Sequence, residues 1–391
     1  MRRRWRQAEA LAVAALLLVL FSSTGTAFQD LASEPMSGDL PGFLDGARHM
    51  RFFYDSGYRE PLHVFFLKVA LAFVDDGYRA ARLVTVVHTL LLAVAAWWFA
   101  RVWFGPAFAL ACLAIVASNR MVAFYSVSGL RDPLYTAVLL LFGTVLFLPH
   151  GRLRPLTHAV LAGACGALLV LTRVYGWAAI ALCLTVLLAS GPAWRAETRG
   201  GALRFAGITL AVTTVLVLPG VLAGPSRVVG SDVNFWRNVE RTGSPGDWEH
   251  TPAVGIFQYM FGEHSLADVV ARCARNTVMY VSHYFVHYLG DLAWLALFFP
   301  LGAVLATVRG RAHVVALFLA ALGPIVFVLN LNQMPGAQGV EMRLVHQVFP
   351  FALVLALYGA ACPLAWAWRR AASTWPRLPQ PRWAAGGAWP T

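Results

Sequence analysis

The chain has 391 residues, of which 59% are hydrophobic and 13% are charged, and its formal net charge is +12. Soluble proteins carry about twice that charged fraction, and disordered, collagen-like and disulfide-rich chains have other compositions, so these classes are excluded. The sequence therefore predicts an all-α protein, a polytopic bundle of transmembrane helices.

The excess of basic residues fits a membrane protein better than a nucleic-acid-binding one. Cytoplasmic loops of membrane proteins are enriched in Lys and Arg, which accounts for the charge, so no nucleic-acid partner is predicted. Thirty of the 31 bases are Arg and Lys68 is the exception. That bias indicates a GC-rich, bacterial genome and hence a bacterial cytoplasmic (inner) membrane.

About ten apolar runs follow one another along the chain and predict about ten membrane spans. They lie near residues 9–28, 82–104, 105–119, 133–149, 157–172, 175–190, 204–224, 290–308, 312–330 and 344–366. The first run also has the basic start of a signal peptide, but it is long enough to span, so a retained first helix is favoured.

The distribution of Arg orients these spans. If both termini are cytoplasmic, 16 of the 31 bases and two of the 19 acids lie inside, which leaves 15 bases and 17 acids outside. This asymmetry is the one that the positive-inside rule describes. The prediction is a transmembrane domain over residues 1–366 and a basic, disordered cytoplasmic tail over 367–391.

Two external segments are too long to be simple connectors. Residues 29–81 contain eight of the 19 acids, and residues 225–289 are rich in aromatic residues. Long loops beside a membrane often carry function. Within them, 62–74 and 266–288 are predicted to form juxtamembrane helices that lie in the membrane interface.

An acidic residue opens the first external loop. Asp39, Phe43 and Ala47 share one face of a predicted helix at i, i+4 and i+8. Asp39 has two interpretations: an N-cap with Pro41 in the first turn, or a general base held at the membrane surface. The residues alone leave both open.

Two further charged motifs have similar alternatives. Arg59-Glu60-Pro61 is either a solvated surface pair before a second short helix or a cation presented to an anionic headgroup. Asp132, before Pro133, is either the cap of the fourth span or a ligand in a site.

Several Arg residues lie at predicted outer helix ends. Each alone is expected to extend to the interface, but together they predict a ring that binds a phosphate diester or pyrophosphate through bidentate hydrogen bonds. The ring comprises Arg59, Arg120, Arg131, Arg173 and Arg343.

No metal or cofactor is predicted. His283 and His287 share a helical face without a third ligand at useful spacing, and the five Cys have neither metal nor redox spacing. A divalent metal is therefore not indicated, and no phosphate-binding Gly loop or nucleophile elbow occurs.

At these motifs the chain resembles the GT-C superfamily of polyprenyl-phosphate-sugar glycosyltransferases, in particular relatives of bacterial protein O-mannosyltransferases and lipid A aminoarabinose transferases. Asp39, Phe43 and Ala47 match the acid, aromatic and small residue that open the first loop of those families. The other matches are Arg59 to Leu62, Gly77 with Arg82, the stretch from Ser128 to Leu134, and Arg343 with Pro350. Many relatives have an Asp-Glu pair where this chain has Asp39 alone.

The resemblance implies inverting transfer of a sugar from a polyprenyl-phosphate carrier to an acceptor hydroxyl on the external face. It implies Asp39 as the general base, Arg59, Arg131, Arg173 and Arg343 as donor-phosphate ligands, and Glu60 and Asp132 as supporting acids. The partners would be the lipid-linked donor, a lipid, glycan or protein acceptor, and membrane lipids.

Three other functions remain open. A ligase or polymerase acting on a lipid-pyrophosphate glycan would share the donor type and the side of the membrane. A flippase or transporter would use ionisable groups near the bilayer midplane and internal repeats, and the sequence has neither. A non-catalytic scaffold would tolerate the change Asp39→Asn.

Overall fold

A computed structural model of the protein describes residues 2–30, 39–56, 59–148, 152–195, 199–223, 237–238, 240–242, 252, 254–326 and 345–374. Within these ranges the chain is helical, with turns and bends between the helices and no β-strand. The all-α prediction is therefore confirmed.

The first half of the bundle contains ten helices. They are α1 Arg2–Asp30, α2 Leu40–His49, α3 Pro61–Leu71, α4 Gly77–Phe104, α5 Pro106–Ser118, α6 Arg120–Tyr125, α7 Asp132–Leu146, α8 Pro155–Thr172, α9 Gly176–Arg195 and α10 Arg199–Ala223. Pro occupies the first or second position of α2, α3, α5, α7 and α8, where its missing N–H removes no helical hydrogen bond.

The second half is less regular. It contains α11 Ile256–Gly262, α12 Leu266–Met279, a π-helical turn Tyr280–Tyr284, α13 Phe285–Leu289, a 3₁₀ segment Gly290–Phe298, α14 Phe299–Val308, α15 Ala312–Val326 and α16 Phe349–Thr374. Gly290 has φ of +54°, so the long helical segment breaks there.

Within the part of the chain that the structure describes, six helical segments are long and apolar enough to cross a membrane. They are Trp5–Gln29, Gly77–Phe104, Pro155–Thr172, Arg199–Ala223, Leu266–Val308 and Phe349–Trp368. The shorter apolar helices include α5, α7, the first part of α9 and most of α15. The chain is thus a polytopic helical membrane protein, as predicted. Each predicted run overlaps helical structure, but the run 290–308 is divided between the 3₁₀ segment and α14. The number of ten crossings stays a prediction.

One predicted boundary differs from the structure. The last helix, α16, continues beyond residue 366 to Thr374, because residues 367–374 lack a helix-breaking residue. The rest of the predicted tail, 375–391, lies outside the described residues. The predicted segment 266–288 is helical, and its second half packs into the main core through Tyr280, Tyr284 and Tyr288. Its depth in the membrane stays a prediction.

A small second core fixes α2 and α3, which lie in the loop predicted to be external, against the bundle. It joins α2, α3 and the start of α4, and it contains Leu40, Phe43, Leu44, Ala47, Met50, Val64, Leu67, Ala81 and Val84. The Tyr54 hydroxyl, between α2 and α3, donates a hydrogen bond to the Leu216 carbonyl of α10 at 2.6 Å. These contacts hold the predicted catalytic loop on the rest of the protein.

Candidate active site

Asp39 occupies the N-cap position of α2, but its carboxylate does not cap the helix. No capping hydrogen bond reaches its side chain from the described residues of the first turn. Instead its Oδ1 accepts a hydrogen bond from Arg59 Nη2 at 3.1 Å. The side chain is 30% exposed. The side chain of Asp39 therefore does not act as the predicted cap, and its role as a general base stays a prediction.

Phe43 supports the cation beside Asp39. Its ring is fully buried. Phe43 lies one helical turn after Asp39, and its N–H donates a hydrogen bond to the Asp39 carbonyl. The Arg59 guanidinium carbon lies 4.8 Å from the ring centroid and that of Arg131 lies 5.4 Å from it. Aromatic faces attract cations at such distances. Phe43 thus holds two arginines of different segments together.

Glu60 joins three segments. Its Oε2 forms an ion pair with Arg131, and its Oε1 accepts a hydrogen bond from the Val174 N–H at 3.2 Å. The side chains of Glu60 and Arg59 are 16% and 11% exposed. The alternative of a solvated Arg59–Glu60 surface pair is therefore wrong, because the two side chains turn inward to different partners.

Asp132 and Arg173 form the innermost ion pair. Each side chain is 2% exposed. The predicted N-cap is displaced by one residue: Arg131 occupies the cap and Asp132 is the first helical residue of α7. Its carboxylate therefore binds the Arg173 guanidinium at the end of α8. A paired, buried carboxylate of this kind holds two helix ends together.

The three ion pairs become more buried from Asp39 through Glu60 to Asp132. Arg131 and Arg173, both predicted phosphate ligands, are enclosed with carboxylates. Their phosphate-binding role stays a prediction, and in this structure their guanidinium groups already have anionic partners. Arg59 pairs with the most open of the three acids. Arg343 lies outside the described residues, and Arg120 is exposed at the start of α6.

His63 was not among the predicted site residues. It is fully buried in the first turn of α3, and its Nε2 lies 3.2 Å from the Gly129 carbonyl. Its ring meets that of Phe43 edge-on, with the centroids 4.9 Å apart. Burial lowers the pKa of His63 to about 4, so the ring is neutral at neutral pH. The one signal in the sequence was its position three residues after Glu60, on the same helical face.

The start of the last helix also packs beside the ion pairs. The ring of His346 lies 5.6 Å from that of Tyr125 and 6.0 Å from that of Tyr288. Tyr175, whose ring lies 5.2 Å from the Arg173 guanidinium carbon, donates a hydrogen bond to Gln347 Oε1 at 2.7 Å. The segment with the weaker sequence resemblance thus reaches the same region.

A narrow, largely apolar cleft opens beside Glu60. Its walls come from the ends of α3, α8, α9 and α10, and they include Pro61, Val174, Trp177 and Gly220. Glu60 is the charged residue of this lining. The cleft therefore places an acidic group next to an apolar surface.

A separate polar cluster lies in the long external segment. Glu240 accepts hydrogen bonds from Arg272, Tyr259 and His264. Burial alone would raise the pKa of Glu240, but these hydrogen bonds outweigh it and lower the pKa to about 2. The cluster binds residues 240–242 to α11 and α12 as a structural contact. Within the described residues no group of three metal-ligating side chains occurs.

Comparison with known proteins decides the fold. The apo crystal structure of the Archaeoglobus fulgidus oligosaccharyltransferase superposes on 97% of this chain and 54% of its own, with a TM-score of 0.58 and 11% identity. A structure of archaeal oligosaccharyltransferase AglB from the same organism, in complex with an inhibitory peptide and a dolichol-phosphate, superposes on 95% of this chain and 53% of its own. Its TM-score is 0.54 and its sequence identity is 12%. The chain has the fold of archaeal oligosaccharyltransferase.

The chain spans about half the length of those two proteins. ArnT from Cupriavidus metallidurans is also similar, with 15% identity over 91% of this chain and 78% of its own and a TM-score of 0.41. The two oligosaccharyltransferase structures alone confirm the GT-C fold that the motifs predict. Neither a protein-family model nor a curated protein sequence matches the chain.

Proposed function

We propose that the protein is a membrane glycosyltransferase that moves a sugar from a polyprenyl-phosphate carrier to an acceptor hydroxyl. The reaction takes place on the external face of a bacterial cytoplasmic membrane and inverts the anomeric centre. The observation that carries this proposal is the Asp39–Arg59 pair, a half-open carboxylate 3.1 Å from a cation, at the start of the first external loop.

Asp39 is the general base in this account. The acceptor oxygen attacks the anomeric carbon while the bond from that carbon to the carrier phosphate breaks, and Asp39 takes the acceptor proton. A direct displacement of this kind leaves the sugar inverted on the acceptor and the carrier as a polyprenyl phosphate. A positioned base contributes about 10²–10⁴-fold to such a step.

Arg59 is the donor-phosphate ligand in this account. Its guanidinium borders the partly exposed Asp39, so a phosphate that enters beside the carboxylate meets a cation there. Charge grows on the phosphate as the sugar leaves, and an Arg fork stabilises that charge. Glu60, Arg131, Asp132 and Arg173 act behind it as paired groups that fix the loop and the ends of α7 and α8.

The second candidate is transfer of a preassembled glycan from a lipid-linked donor. The fold shared with archaeal oligosaccharyltransferase favours it, since one of those structures contains a peptide and a dolichol-phosphate. Both reactions would use the same base and the same side of the membrane. They differ in the size of the glycan that the site accepts.

The test uses purified protein in nanodiscs with a panel of radiolabelled polyprenyl-phosphate monosaccharides and lipid-linked oligosaccharides, and a detergent extract of bacterial envelopes supplies the lipid, glycan and protein acceptors. Loss of label from one lipid is expected for the wild type and for Asp45→Asn. Asp45 lies on α2, but its side chain is 74% exposed and its neighbour is His49. Asp39→Asn is expected to lose turnover by at least about 10²-fold.

The panel also separates the two candidates. Turnover confined to a monosaccharide donor supports the first, and turnover confined to an oligosaccharide donor supports the second. Equal turnover by Asp39→Asn and the wild type would overturn both, because each assigns the base to Asp39.

A further inference from the structure

His63 contacts two parts of the candidate site, Phe43 and the Gly129 carbonyl, and one core residue outside the site, His88. It lies in the first turn of α3, three residues after Glu60. Its ring packs edge-on against Phe43 of α2, its Nε2 lies 3.2 Å from the Gly129 carbonyl, and its ring centroid is 5.5 Å from that of His88 in α4. A fully buried side chain with this set of contacts links α2, α3 and the turn before α7.

The contact with Gly129 fixes the tautomer of His63. A carbonyl oxygen only accepts hydrogen bonds, so Nε2 must carry the proton. Nδ1 is then an unprotonated nitrogen, and it has no hydrogen-bond partner among the described residues. The imidazole is therefore a neutral donor with a defined direction.

The bond from His63 reaches the arginine that binds Glu60. Gly129 has φ of +71°, a left-handed conformation that allows the chain to turn sharply before α7. Arg131 follows two residues later and pairs with Glu60. Holding the Gly129 carbonyl therefore limits where the Arg131 side chain begins.

The ring contact reaches the proposed base. Phe43 carries the guanidinium groups of Arg59 and Arg131 on its ring, and its own N–H bonds the Asp39 carbonyl. If the Phe43 ring tilts, the guanidinium groups of Arg59 and Arg131 move with it. The edge of His63 is packed against this ring and opposes such a tilt.

We propose that His63 is a positioning residue that sets the geometry of the Asp39–Arg59 and Glu60–Arg131 pairs, through its Nε2–H bond to Gly129 and its contact with Phe43. Its effect on catalysis rests on the proposed function, whereas its effect on the geometry does not. His63 itself touches no reacting atom in this account.

The chain offers a matched control in His88. This residue is 2% exposed, and its ring neighbours are His63 at 5.5 Å and Phe66 at 5.2 Å. His88→Phe removes a buried imidazole beside His63 without changing a contact to Phe43 or Gly129. This variant shows how much Asp39 labelling and turnover change when the core beside His63 is altered but the contacts of His63 with Phe43 and Gly129 are kept.

The experiment compares His63→Gln with His63→Asn, and adds His63→Phe. Gln presents an amide N–H near the position of Nε2, whereas the shorter Asn does not reach the Gly129 carbonyl. The first readout is carbodiimide labelling of Asp39, quantified by peptide mass spectrometry with Asp45 as the internal reference. The second readout is kcat and the donor KM with the donor found in the panel.

Asn and Phe at position 63 are expected to raise Asp39 labelling severalfold and to lower kcat by about 10–10²-fold, because displacements near 1 Å cost that much. The donor KM changes less than kcat. His63→Gln is expected to keep Asp39 labelling and kcat close to their wild-type values. His88→Phe is expected to leave labelling and kcat unchanged even if it lowers the melting temperature.

Asp39 labelling that is equal in the wild type, Asn and Phe proteins would overturn the positioning role, whatever the activity. Rescue by Gln that is no better than that by Asn would assign the effect to packing alone and overturn the hydrogen-bond step. If no donor is turned over by the wild type but labelling follows the predicted order, the proposed function fails and the positioning role stands. If His63→Phe does not fold, the Gln and Asn pair decides.

Discussion

Asp39, Glu60 and Asp132 each pair with an arginine, yet their surroundings differ in the access they give to solvent. Asp39 is partly exposed, while Asp132 and Arg173 are buried at the start of α7 and the end of α8. An enclosed pair has lost the water that would screen it, so its partners depend on each other. The same residue types thus serve the proposed chemistry at one end and the structure at the other.

This difference predicts how single substitutions affect stability. Arg173→Leu breaks the buried ion pair with Asp132, and breaking a buried pair should cost about 3–5 kcal/mol of unfolding free energy. Arg79→Leu removes an exposed partner of Asp76, and such surface pairs contribute at most about 1 kcal/mol. Unfolding in mixed micelles by a denaturing detergent measures both changes.

The double variant Arg173→Leu with Asp132→Leu separates charge from packing. It removes both charges, and well-packed apolar pairs often match buried ion pairs in stability. The double variant should therefore unfold later than Arg173→Leu alone. A double variant that is less stable than the single one would show that the Asp132 carboxylate has a structural role apart from Arg173.

Helices α14 and α16 cross with their backbones in contact. A Cβ built on Gly302 would lie 1.8 Å from the Leu355 carbonyl oxygen, and one on Gly359 would lie 2.0 Å from that of Phe298. Small residues allow membrane helices to approach this closely. The crossing fixes α16, whose first residues follow His346 and Gln347 beside the candidate site.

Gly302→Ala is therefore expected to lower the free energy of unfolding in detergent by about 1–3 kcal/mol or more, because the two backbones must separate. The melting temperature should fall with it. Gly207→Ala is the control. Gly207 lies inside α10 with no atom within 4 Å of a built Cβ, so alanine there should be neutral or slightly stabilising. Equal melting temperatures for the two variants would contradict the close crossing.

The helices were predictable from the sequence, while the contacts between them were not. Apolar runs bounded by Pro and Arg indicate helices of about the right length, and each predicted run except 290–308 overlaps one α-helix. The run 290–308 is divided between the 3₁₀ segment and α14. The ion pairs join residues 20, 71 and 41 positions apart for Asp39–Arg59, Glu60–Arg131 and Asp132–Arg173. No local pattern encodes such pairings, so the motifs indicated which residues matter but not their partners.

At the scale of the whole molecule, the residues of the candidate site lie together at one end of the helix bundle. The three ion pairs lie at the starts of α2, α3 and α7 and at the end of α8. The predicted orientation assigns all four positions to the external face. That assignment is a prediction from charge, and it can be tested without any activity.

Cysteine labelling tests the orientation. In a cysteine-free background, Asp45→Cys should react with a membrane-impermeant maleimide in intact cells, because Asp45 is exposed on α2. Arg199→Cys, exposed at the start of α10, should react only after the membrane is opened. The opposite pattern would place the candidate site inside and exclude an external acceptor.

The most direct test of the central claim compares binding and turnover in the same preparations of wild type, Asp39→Asn and Arg59→Gln. If Asp39 is the base and Arg59 holds the carrier phosphate, Asp39→Asn should bind polyprenyl phosphate with nearly wild-type affinity and lose at least about 10²-fold in turnover of the lipid-linked donor. Arg59→Gln should bind polyprenyl phosphate more weakly. Turnover by Asp39→Asn at the wild-type rate would contradict the account and remove the carboxylate of Asp39 from the chemistry.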